Sequence, residues 1–138
     1  MKHKGLLTIA SLLSILFLIS HLAGDIAVGI ESGKTPNLLA IPIAVLWLYA
    51  TLVLAERRSG YVIILLGSLL GAYVPVVHFR GAQGVVGPRI AASGGAFFFV
   101  WTLLALGVTA LFSVILSAQG LWRSLASRAP QADVAPRD

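Results

Sequence analysis

Three histidines and five acidic residues are the whole stock of metal-binding and acid–base side chains in this 138-residue chain, and there is no cysteine. Without thiols, a disulfide framework, a thiolate metal site, an iron–sulfur cluster and a cysteine nucleophile are all excluded. Two of the remaining groups, His21 and Asp25, stand four residues apart inside an apolar stretch. On a helix that spacing places imidazole and carboxylate one turn apart on the same face. The carboxylate can then orient the ring, or both groups can ligate a metal ion. The same spacing also serves a purely structural N–H to carboxylate bond that ties a helix to its following loop. A third group, His78, lies in a separate apolar stretch with Pro75 three residues before it. The chain carries no GxSxG elbow, phosphate-binding Walker loop, dinucleotide fingerprint or HExxH pair, which argues against soluble-type hydrolase, nucleotide and zinc-protease chemistry.

The elements that must position these groups are set by composition. Hydrophobic residues make up 58% of the chain and charged residues 11%, against about 25% charged in a soluble domain. Mean hydropathy is +0.94. The apolar residues fall into four blocks, each near the ~20 residues that cross a bilayer's hydrocarbon core as a helix. The chain is therefore read as all-α, a polytopic membrane protein built as a four-transmembrane-helix bundle. The expected spans are 5–24, extending to 30 if the apolar run through Ile30 continues, then 38–55, 61–79 and 94–117. The first stretch also has the basic head of a secretory leader, but its length and weak cleavage pattern favour a retained span. Pro42 is expected to break the start of the second span and Pro75 to bend the end of the third. Residues 1–118 form the expected transmembrane domain. Residues 119–138 are expected to be a cytoplasmic interfacial segment, with Leu121, Trp122 and Leu125 among Arg123 and Arg128, ending in a disordered tail.

Charge bias orients the bundle. With a cytoplasmic N-terminus, the inner side carries Lys2, Lys4, Arg57, Arg58, Arg123, Arg128 and Arg137, and the outer side only Lys34, Arg80 and Arg89. This excess gives N-in/C-in in the cytoplasmic (inner) membrane. The net charge of +5 is thereby assigned to membrane flanks, and nucleic acid is not an expected partner. Tyr61 and Trp122 fall at the inner interface, and Phe97, Phe98, Phe99 and Trp101 in the outer half of the last span. Trp47 and Tyr49 sit mid-span and are expected to face the interior, where their polar atoms need partners.

Helical periodicity then converges on one place. On the first span Ser11, Ser14, His21 and Asp25 share a seam, and on the third Ser68, Gly71, Pro75 and His78 do. Lipid satisfies no polar group, so both seams must face other helices. Gly67 and Gly71 form a GxxxG pair suited to close packing. From Gly5 to His21 is about 24 Å and from Tyr61 to His78 about 26 Å at the helical rise, so the two imidazoles come out level near the outer end of the hydrocarbon region. The expected constellation is His21, Asp25 and His78, with Glu31, Arg80 and Arg89 as lids or counter-ions and Trp47, Tyr49 and Tyr73 as walls of an apolar cavity.

Such a site admits several occupants. His21, Asp25 and His78 suit a divalent transition metal. The two histidines alone could serve as axial ligands to haem, given helices on a bundle diagonal roughly 13 Å apart. A lipid- or quinone-like ligand is the third candidate, with or without proton transfer. A different class remains open: an accessory or scaffold subunit of a larger membrane complex, or a homo-oligomer, in which the polar cluster is only structural. Membrane lipid is the one general partner. An exporter mechanism based on an acidic residue in the middle of the first span is disfavoured, since residues 12–16 hold only Ser14 as a polar group.

Overall fold

The computed structural model describes residues 2–27, 29, 35–80, 88, 92 and 94–127. They are all helix and turn: α1 (Lys2–Ala27), a 3-10 turn (Thr35–Leu39) running into α2 (Ala40–Leu52), α3 (Arg58–Arg80) and α4 (Ala96–Ala126). Three helices, α1, α3 and α4, are long and apolar enough to cross a membrane. The second block departs from expectation. Regular helix stops at Leu52, short of residue 55, and its 13 residues reach only about 20 Å. Leu38 and Leu39, the first two residues of the block, belong instead to a 3-10 turn that begins at Thr35, before the expected start. Pro42 falls in the first turn of α2, where a missing N–H is tolerated. α1 extends to Ala27, so the longer first span is realised in part. α4 continues unbroken to Ala126, and the Leu121–Leu125 segment belongs to it. Residues 128–138 lie outside the described part.

The surface is inverted relative to a soluble protein. Leucine, isoleucine, valine and aromatic side chains cover the outside, while Ser11, Ser14, Thr51, Ser68, Thr102, Ser113 and Ser117 are buried. Apolar exposure on this scale would drive aggregation in water, and the polar interior is what lipid demands of spanning helices. This pattern, with three helices long and apolar enough to cross a membrane, is compatible with a membrane protein.

Helix order around the bundle decides what can meet inside it. α4 packs along both α1 and α3, and α2 along α1 and α3, whereas the backbones of α2 and α4 stay apart. The section is thus a rhombus whose short diagonal joins α1 and α3. Glycines allow the close approaches. A methyl group on Gly67 would stand 2.6 Å from Cδ2 of Trp47, and one on Gly107 would stand 3.1 Å from Cγ of Pro75. The GxxxG pair on α3 therefore seats an indole of α2, while Gly107 on α4 receives the proline ring of α3.

Hydroxyls lock the same contacts. Thr51 donates to the Trp47 carbonyl, at 2.8 Å, and the Trp47 indole N–H donates to Ser11 Oγ, also at 2.8 Å. Ser11 is therefore left to donate to Thr51 Oγ1 at 2.6 Å, closing a ring between α1 and α2. Ser68 donates to Ser113 across α3 and α4 at 2.8 Å. At one end of the bundle Lys4 pairs with Glu56 at 3.1 Å and Arg58 donates to the Ser124 carbonyl at 2.6 Å. The start of α1, the α2–α3 turn and the end of α4 thus share one end.

Candidate metal centre

At the other end of the bundle, the short diagonal brings His21 and Asp25 of α1 against His78 of α3. One Asp25 carboxylate oxygen lies 3.6 Å from His21 Nε2 and 3.4 Å from His78 Nε2. The three candidate donor atoms all fall within 4.8 Å of one another. The two rings meet edge to face with centroids 4.8 Å apart. His21 and Asp25 are buried and His78 nearly so.

The other edge of each ring is held. His78 Nδ1 lies 2.9 Å from the carbonyl of Val74; a carbonyl only accepts, so Nδ1 carries the proton. His21 Nδ1 lies 3.3 Å from Thr102 Oγ1. The Thr102 hydroxyl already donates to the carbonyls of Phe98 and Phe99, at 2.9 and 3.1 Å, so toward His21 it accepts. Both rings therefore share one tautomer, with Nδ1–H tied to the protein and the Nε2 lone pair aimed at Asp25. His21 Nε2 has no hydrogen-bond partner among the described residues. Both Nε2 to carboxylate distances also exceed the 2.7–3.2 Å of an N–H···O bond. The two distances to Asp25 lie near the edge of a tetrahedron, about 3.3 Å, around an ion with bonds of ~2.0–2.1 Å to nitrogen and oxygen, while the full donor set spreads over 4.8 Å.

Phe99 of α4 closes the cluster from behind, its ring centroid 4.7 Å from that of His21 and 5.7 Å from that of His78. In front lies a cavity of ≈ 250 Å³ whose wall includes His21, Asp25 and His78, together with Leu22, Ala44 and Tyr73. It is bounded by α1, the start of α2 and α3.

The other expected participants separate. Tyr73 lines the cavity while remaining largely exposed. Trp47 is buried, but its N–H is spent on Ser11, ten residues or about 15 Å down α1 from His21, and it does not line the cavity. Tyr49 faces outward rather than inward: Trp47 and Thr51 take the buried stripe of α2. Arg80 is the last residue of α3; its side chain, Glu31 and Arg89 lie outside the described residues. The expected interfacial set of aromatics is also corrected, since Phe97, Phe98 and Trp101 are exposed whereas Phe99 is buried on the imidazoles. Phe99 and Thr102 are the two residues the sequence reading missed. The available signal was that Thr102 is the first hydroxyl on α4 and lies one turn from Phe99.

No protein-family model, no curated protein and no solved structure matches the chain.

Proposed function

We propose that this is a small integral protein of the cytoplasmic membrane which holds a divalent transition-metal ion between His21 Nε2, Asp25 and His78 Nε2, near the extracytoplasmic face. Zinc suits the site best, because two imidazoles and a carboxylate form a three-ligand set with one position open, and an ion between them would draw the donors in from their 4.8 Å spread. The carrying observation is the treatment of the two imidazoles. Each ligating histidine of a metal site characteristically donates its second N–H to a fixed acceptor, and here His21 and His78 do so to Thr102 and Val74. Three donor atoms of the types that bind transition metals thus converge within 4.8 Å in a buried interior.

The geometry disfavours haem. The α1–α3 diagonal is the short one, and the rings already touch edge to face at 4.8 Å, which leaves no slot for a flat macrocycle. The fourth crossing is supplied by the 3-10 turn and α2 together. Five residues at ~2.0 Å and thirteen at ~1.5 Å give about 30 Å, the thickness of the hydrocarbon core. With the Lys4, Arg57, Arg58 and Arg123 end inside, both termini are cytoplasmic.

Zinc analysis of protein purified in detergent, stripped with chelator and reloaded, tests the site. One zinc per chain is expected, lost in His21→Ala and Asp25→Asn. An unsubstituted protein that takes up no zinc, together with a large fall in melting temperature in the two variants, would assign the cluster a structural role, as in an accessory subunit.

A further inference from the structure

The cavity in front of the cluster gives the open position a ligand class. Among the described residues, apart from the three donors and Tyr73 its wall is aliphatic, with Leu18, Leu22, Val74 and Val77 around Ala40 and Ala44. Ile19, Tyr73 and Val77, which also border it, are exposed on the outer face of the helices. The cavity therefore opens sideways, toward acyl chains.

Resting on the metal reading above, we infer that this cavity binds the carboxylate end of a single-chain fatty acid, the carboxylate taking the ion's open position and the chain leaving between the helices into the bilayer. Charge is the first argument. A divalent ion with two neutral imidazoles and one carboxylate carries one net positive charge, costly in hydrocarbon surroundings, and a monoanionic oxygen donor cancels it. Shape is the second. A quinone head has a polar oxygen at each end, and among the described residues its far oxygen would lie beside aliphatic side chains and the exposed Tyr73, whereas an alkyl chain needs no partner beyond its head. Size is the third. A 150 Å³ cavity accommodates benzene, roughly 25 Å³ per carbon, so ≈ 250 Å³ takes about ten carbons. Hydrocarbon is as apolar as the cavity wall, so the tail gains little by leaving the bilayer and the head supplies the selectivity.

The test uses the full chain in lipid nanodiscs loaded with cobalt(II), whose visible absorption reports coordination, and titrates decanoic acid against decanol. Decanoate is expected to shift the cobalt bands and saturate at one per chain, with decanol at least tenfold weaker. Ala44→Phe fills the cavity and should remove the decanoate response while leaving the cobalt spectrum; Ala40→Leu, at the cavity's edge, does the same should the first variant fold poorly. An equal response to decanol, an undiminished decanoate response in the folded variants, or tighter binding of a decyl-substituted quinol overturns the inference. Bound cobalt with bands that decanoate leaves unchanged brings down the inference alone, whereas a chain that binds no cobalt brings down the metal reading and the inference with it.

Discussion

Thr102 does no chemistry itself, yet it determines which nitrogen of His21 is available. Its hydroxyl proton is committed to backbone carbonyls of its own helix, so the oxygen can only accept from Nδ1 and leaves Nε2 free to ligate. Thr102→Val keeps the shape and removes the acceptor. Loss of such an outer partner weakens metal binding by about 10- to 100-fold, and zinc competition with a chromophoric chelator should read that change. Thr102→Ser, which retains the oxygen, should restore most of the affinity. Equal affinity in the valine variant would mean that the ring is oriented by something else. At this scale much was legible: His21 and Asp25 four apart, and His78 at matching height, follow from helical periodicity and rise alone. Phe99 and Thr102 were not, because helix periodicity does not say which face of α4 meets α1. That contact depends on the rotation of α4 about its axis, fixed by distant packing such as Gly107 against Pro75.

Helix positions follow from where the chain has no side chain. Replacing glycine by alanine in a helix ordinarily gains about 0.4–1 kcal/mol from unfolded-state entropy. At Gly67 that gain is outweighed, since the new methyl would stand 2.6 Å from a Trp47 ring that is buried and tied by its N–H to Ser11. Overpacking of this kind typically costs 1–3 kcal/mol. Gly67→Ala should therefore lower the unfolding temperature in detergent, while Gly94→Ala, with nothing within 4 Å, should not. A stabilised Gly67→Ala protein would show that α2 is not seated on α3 as described. The block structure of the sequence located all four helices but misjudged the second. Hydropathy registers apolar length and is insensitive to winding, so Leu38 and Leu39 in 3-10 form, the helix that ends at Leu52 and the apolar residues to Ala55 look like one continuous span.

For the whole molecule, the rhombic section explains why His21, Asp25 and His78 meet where a square bundle would leave a gap. A neighbour spacing of 8–10 Å puts square diagonals roughly 13 Å apart, the basis for expecting room for a macrocycle. Touching α1 and α3 while separating α2 and α4 collapses that room onto an ion-sized centre. Orientation is a separate expectation at this scale. A single cysteine introduced at Glu56, in the tight turn beside Lys4, should be labelled by an impermeant thiol reagent only after the cytoplasmic side is opened. Labelling in intact cells would reverse the topology and place the His/Asp centre on the cytoplasmic side. The coordination shell itself is best read by zinc K-edge X-ray absorption on the reloaded protein. Two imidazole nitrogens and light oxygen donors at about 2.0–2.1 Å, four in all, with one imidazole's scattering lost in His78→Ala, are the expected result. A six-oxygen shell, or a spectrum unchanged by that substitution, would contradict a metal centre shared between α1 and α3.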